Sequence, residues 1–272
     1  MTHKERRVLI KTNAKARLRS SSSNPYLATL IMYGVMLGII ILAVISVVIP
    51  MIMGAAMSNP AVNNPFGVML ILGANISNNV LNIVIQILFS VLLIGFSWYT
   101  LKIYREEENK YSNIFSGFGI RGFWTICARI LAAFFVGIFV FAAALIVIIP
   151  MLIAVFVGVS KNVSEAQIFT GTLIAIIAIW ILSIPAYIFS YGFRLINYIM
   201  YDDRNINAFR VLFKSWKMMK GHKWELFKLD LTFIGWEFIS VFTLGIAGIY
   251  TIPYFYTVYA GFYEEIKEEY ND

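Results

Sequence analysis

The chain alternates between long apolar runs and short basic segments. From Ser20 to Leu101 there is no Asp, Glu, Lys or Arg, an interval far longer than the ~20 residues needed to cross ~30 Å of hydrocarbon. Two membrane spans are expected within it, residues 27–53 and 80–101. Between them, Ser58-Asn-Pro-Ala-Val-Asn-Asn-Pro65 reads as a turn-rich break. Phe66 to Gly73 is apolar but too short to cross alone, so it is expected to be interfacial or re-entrant. A third span is expected at 123–157 and a fourth at 168–193, the latter kinked by Pro185 and capped by Arg194. The last apolar region, Trp224 to Tyr263, would measure ~60 Å as one helix, about twice the core thickness. Thr243-Leu-Gly-Ile-Ala-Gly248 is therefore expected to turn it into spans 224–243 and 249–263.

The expected fold class is all-α: a polytopic integral membrane protein of about six transmembrane helices arranged as three hairpins. Residues 1–26 form a basic amino-terminal segment, 27–265 a single transmembrane domain, and 266–272 an acidic tail. Each hairpin follows a polar or basic lead-in with aromatics, at 10–26, 104–122 and 205–223. Val48-Ile-Pro-Met-Ile52 echoes Ile148-Ile-Pro-Met-Leu152, which suits three repeats, although apolar segments also resemble one another by composition alone.

The third lead-in, Ile206 to Lys220, has helical periodicity. It places Ile206, Phe209, Phe213 and Trp216 on one face, with Arg210, Lys214 and Lys217 in the row beside it. Such a helix is suited to an anionic membrane surface. Arg210, Lys214, Lys217 and Lys220 are the candidates for the lipid interface, and they equally obey the positive-inside rule.

Composition agrees with the pattern. Hydrophobic residues make up 60% of the chain and charged ones 14%, against roughly 45–50% and about 25% in soluble domains. The net charge is +7, but its placement decides more. With six spans and a cytoplasmic amino terminus, only Lys161 of the 22 Lys and Arg residues falls outside. Both termini are therefore expected in the cytoplasm. A basic surface pressed on a membrane is poorly exposed, so nucleic-acid binding is not expected.

Candidate chemistry is sparse. The sequence carries no Walker loop, no paired-histidine zinc motif and no Gly-x-Ser-x-Gly elbow, and no catalytic, cofactor or metal residues are assigned. Cys127 is the sole cysteine, and His3 and His222 stand in separate polar segments. His222 reads as an interfacial polar residue. Gly34 and Gly38 form a Gly-x-x-x-Gly that permits close helix approach. Charges inside apolar stretches are the sharpest clue, since each costs ~2.5–3.5 kcal/mol at a helix centre. Arg194, Lys228, Asp230 and Glu237 are the intramembrane polar and ion-pair candidates. If the helix is continuous, Asp230 and Glu237 share a face two turns apart. Depth along that helix favours an Arg194–Asp230 pair, with Lys228 nearby.

The carboxy-terminal third carries a specific pattern. Met218-Met-Lys-Gly-His-Lys-Trp-Glu-Leu-Phe-Lys-Leu-Asp-Leu-Thr-Phe-Ile-Gly-Trp236 is followed by Thr243-Leu-Gly-Ile, Ile252-Pro-Tyr and Ala260-Gly-Phe-Tyr263. With Ile184-Pro, Tyr201-Asp-Asp203 and the lead-in residues Ala14, Ala16 and Leu18, this resembles an uncharacterised family of bacterial multi-pass membrane proteins, the domain of unknown function numbered 975. The chain departs from that pattern at Glu237, where an apolar residue is expected. The resemblance implies a bacterial cytoplasmic-membrane protein and supplies no activity. A non-enzymatic accessory or scaffold protein of the cell envelope is the leading expectation, with a small permease using intramembrane carboxylates as the alternative. Expected partners are anionic lipids at the cytoplasmic face, and a membrane-protein partner or a second copy.

Overall fold

The computed structural model describes residues 3–57, 65–160, 165–203 and 205–271, and these are mostly helical, without strands. The turn-rich break at Ser58 and the short loop at Lys161 lie outside the described residues. Ten α-helices follow in order: α1 (His3–Ser20), α2 (Pro25–Met57), α3 (Pro65–Tyr104), α4 (Ile120–Ser160), α5 (Glu165–Ser190), α6 (Ile196–Asp202), α7 (Ala208–Met218), α8 (Lys223–Leu231), α9 (Ile234–Phe242) and α10 (Gly248–Asn271). Two 3-10 segments, Tyr111–Phe118 and Tyr191–Phe193, link α3 to α4 and α5 to α6.

Among the described residues, three helices are long and apolar enough to cross a bilayer: Pro25–Ser46 in α2, Asn79–Tyr104 in α3 and Ile120–Ala142 in α4. They match the first three expected spans in position. Their outward side chains are apolar, Leu42 at 65% exposure and Phe141 at 65% among them, which suits lipid rather than water. The membrane character of the chain rests on these helices. The fourth expected span falls in α5, which runs as helix through Pro185 and then tightens into the 3-10 turn at Tyr191.

Two expectations are corrected. Phe66 to Gly73 is no separate interfacial piece, because α3 runs unbroken for 40 residues from Pro65. The 224–243 stretch is not one helix: α8 and α9 hold nine residues each, or ~14 Å apiece at 1.5 Å per residue. The break at Thr232–Phe233 is closed locally. Phe233 N–H donates to the Asp230 carbonyl at 2.8 Å, and Thr232 Oγ1 donates to the Leu229 carbonyl at 2.6 Å. The expected turn at Thr243–Gly248 is present, with Leu244 at φ 51° and Gly245 at φ 89°.

The described chain packs as two compact units, 1–126 with 235–262, and 127–234 with 263–272. In the first, α2 starts at Pro25. The Asn24 side-chain oxygen accepts from the Tyr26 and Leu27 N–H groups at 3.0 and 3.3 Å, satisfying donors that a helix start leaves open, with proline at its first position. The core gathers Leu18, Ala28, Met32, Phe96, Tyr99, Ile103 and Ile114. Ser23 and Tyr99 share a buried hydroxyl–hydroxyl bond of 2.9 Å. The amino-terminal segment is itself a helix, seated through Ile10, Ala14 and Leu18 at i, i+4, i+8 spacing, and Arg17 pairs with Glu106 past the end of α3. The 3-10 segment Tyr111–Phe118 lies backbone to backbone on α3. A Cβ on Gly95 would collide with the Ile114 carbonyl, and one on Gly117 with the Val91 carbonyl. Gly34 and Gly38 meet nothing within 4 Å, so no close helix contact within the chain uses them among the described residues.

Candidate functional site

The second unit holds most of the charged chemistry, and α7 is its organising element. α7 docks by small and medium side chains: Ala208, Val211, Leu212, Ser215 and Met218 are buried. Ser215 Oγ donates to the Gly192 carbonyl at 2.8 Å. The Trp216 indole lies against Gly192, where any Cβ would collide with it. Phe189 and Phe193 flank that indole at ring separations of 4.6 and 5.5 Å. Lys223 Nζ sits 3.2 Å from the Trp216 ring centre, a cation–π contact. Burial holds the Lys223 ammonium below the usual lysine pKa.

The opposite side of α7 faces outward. Phe209 and Phe213 are 57% and 65% exposed, and Arg210, Lys217 and Lys220 are exposed beside them. Lys214 is partly engaged, 3.8 Å from Asp203. The sequence reading placed Phe209 and Phe213 on the apolar face of this helix. The structure leaves both of them outward and seats the small-residue face, where contact with Gly192 selects Ser215 over bulkier neighbours. Two large aromatics thus share the outer face with the cations.

The intramembrane candidates fall on three elements, Arg194 after the 3-10 turn at Tyr191, Lys228 and Asp230 on α8, and Glu237 on α9. Asp230 is half-buried, and Tyr191, itself buried, donates its phenol to Asp230 Oδ2 at 2.8 Å. Arg194 and Lys228 are exposed, with Lys228 Nζ 5.6 Å from the Trp224 ring centre. Glu237 is exposed on α9. The turn at Thr232–Phe233 puts Asp230 and Glu237 on different helices, so their seven-residue spacing no longer implies a shared face.

Asp230 yields a prediction. Replacing it with Leu strands a buried phenol and is expected to cost about 1–3 kcal/mol, whereas Glu237→Gln is expected to lie within about 0.5 kcal/mol of wild type. Thermal unfolding in detergent measures both. Asp230→Asn separates the two possible partners: the amide oxygen still accepts from Tyr191, but an ion pair with Arg194 would be lost.

Two clusters were missed in the sequence. His222 lies between two carboxylates, Nδ1 at 3.6 Å from Glu225 Oε2 and Nε2 at 3.3 Å from Glu269 Oε1, and Glu225 is buried. Asp202 Oδ2 accepts from both the Tyr263 phenol and Lys267 Nζ at 2.7 Å each. Tyr263 stacks on Tyr198 with ring centres 5.4 Å apart. Only the His222–Glu225 spacing of three carried a local signal. The other partners come from the last helix, more than forty residues further along.

Among the described residues no group of three or more His, Cys, Asp or Glu could hold a metal. Comparison with curated proteins returned no match, and comparison with solved structures returned none. A family model described as Protein of unknown function (DUF975) matches residues 1–270, and the chain belongs to that family.

Proposed function

We propose that the protein is a multi-pass protein of the bacterial cytoplasmic membrane that acts as a non-enzymatic accessory or scaffold, with α7 lying on anionic lipid. The observation that carries this reading is the two-sided build of α7. One side is locked to Gly192 by Ser215 and Trp216, and the other offers Phe209 and Phe213 among Arg210, Lys217 and Lys220. Exposed aromatics among cations suit the headgroup boundary, where rings enter the interface and each cation near an anionic surface contributes ~1 kcal/mol. Lys214 contributes less, since Asp203 already holds part of its charge. In this reading α5 returns across the membrane beside α4, and α10 begins on the side from which α2 starts, because Tyr250 packs on Tyr26. The basic segments and both termini then face the cytoplasm, as the charge count favours. Reporter fusions at Glu107 and Asn271 are expected to read the cytoplasm.

A small permease is the second reading, favoured by Asp230, a half-buried carboxylate bonded to a buried phenol. Affinity purification in mild detergent separates the two. A stoichiometric partner supports the scaffold. Purified protein that alone moves a solute across liposomes overturns it.

A further inference from the structure

In the first unit an open cavity of about 300 Å³ lies between α1, the start of α2, α9 and the start of α10. Two cations, Lys15 and Arg19, and four aromatics, Tyr26, Trp236, Tyr250 and Tyr254, line it with Leu18 and Thr251, and its eight lining residues include no carboxylate. Lys15 Nζ is 5.7 Å from the Tyr254 ring centre, and Tyr26 packs on Tyr250 at 5.3 Å. Glu106, just past the end of α3, pairs with Arg17 rather than with either cavity cation. Among the described residues none forms an ion pair with Lys15 or Arg19.

The rest of α1 adds to the positive charge along the same side. Arg7, Lys11, Lys15 and Arg19 recur at four-residue spacing, so like charges stack along one side of the helix and repel. The Lys11 ammonium is accordingly held below its usual pKa, first by burial and then by Arg7 and Lys15. Location narrows the ligand. Tyr26 is the second residue of α2, at the start of the candidate span Pro25–Ser46, and exposed Tyr and Trp side chains belong at a membrane–water boundary.

We propose that this cavity binds the phosphate-bearing headgroup of an anionic phospholipid, with Lys15 and Arg19 on the phosphate and Tyr26, Trp236 and Tyr250 against the glycerol and upper acyl chain. Arg forms forked hydrogen bonds to phosphate oxygens and Lys adds a point charge. The aromatic wall excludes water and gives the apolar part of the lipid a surface. The site rests on α2 crossing the membrane and is independent of α7.

The test uses the full chain in nonionic detergent micelles with phosphatidylglycerol, phosphatidylcholine or inorganic phosphate added, read by retained lipid in native mass spectrometry and by Tm. Phosphatidylglycerol is expected to stay bound and raise Tm, and the other two to do neither. Lys15→Gln with Arg19→Gln is expected to weaken phosphatidylglycerol retention by roughly tenfold or more without lowering the lipid-free Tm, since it relieves repulsion along α1. Lys4→Gln with Lys110→Gln, which removes equal charge away from the cavity, is expected to retain it. Should the first variant unfold, Tyr250→Leu, at a largely exposed position, is expected to weaken retention alone. Equal retention of phosphatidylcholine, or equal loss in the charge-matched control, overturns the site. An equal response to inorganic phosphate assigns the cavity to a free anion and overturns the lipid.

Discussion

Gly95→Val is expected to be the most damaging single change in the first unit, at about 4 kcal/mol or more. A β-carbon at Gly95 meets the Ile114 carbonyl directly, so the obstacle is backbone and cannot rotate away. Ordinary overpacking costs about 1–3 kcal/mol, but here the 3-10 segment must lift from α3, uncovering Ile114 and its core neighbours. A loss of about 4 kcal/mol or more is a large share of the ~5–15 kcal/mol that holds a domain together. Gly137 is the control, since a β-carbon there meets nothing within 4 Å. Gly137→Ala is expected to be neutral or to stabilise by about 0.5–1 kcal/mol through helix entropy. Size-exclusion profiles and thermal unfolding in detergent check both.

Trp216→Ala is expected to be the most damaging single change in the second unit. The indole fills the space that Gly192 leaves and packs on Phe189 and Phe193. It also carries the Lys223 ammonium on its face. A fully buried Trp→Ala costs about 3–5 kcal/mol. Trp216 keeps part of its surface exposed, so about 2–4 kcal/mol is expected by the same measure. Trp216→Phe keeps a ring for the cation and is expected to recover about half of the loss. Denaturant unfolding of the two variants gives the comparison.

The bilayer-length elements were legible because they depend only on local composition. A charge-free run such as Ser20 to Leu101 has few soluble alternatives, and Asn24-Pro25 and Leu244-Gly245 mark a start and a turn with residues suited to them. The break at Thr232–Phe233 was not legible, since neither residue is a helix breaker. Burial of Phe233 at 2% exposure is a tertiary event. α7 was legible as a helix with an apolar face, but the side by which it docks was not, because close approach to Gly192 uses Ser215 and Ala208, residues without a strong hydrophobic signal. The basic amino-terminal segment concealed a helix for a related reason: three residues, Ile10, Ala14 and Leu18, seat it among many charges. The His222–Glu269 and Asp202–Lys267 pairs join distant stretches, and no spacing in a single sequence specifies them.

The central claim is that the outer face of α7 rests in an anionic headgroup layer. Cys127 is the sole cysteine, so Cys127→Ser with Phe213→Cys allows one fluorophore to be placed on that face. In lipid nanodiscs, nitroxide carried at the headgroup level is expected to quench the Phe213 label strongly when the lipids are anionic and weakly when they are zwitterionic. A label at Glu108, in the charged loop after α3, is expected to be quenched little in either. High salt is expected to reduce the difference at Phe213, as the screening length falls from ~10 Å at 0.1 M to ~3 Å at 1 M. Weak quenching at Phe213 in both lipids, equal to that at Glu108, would contradict the account.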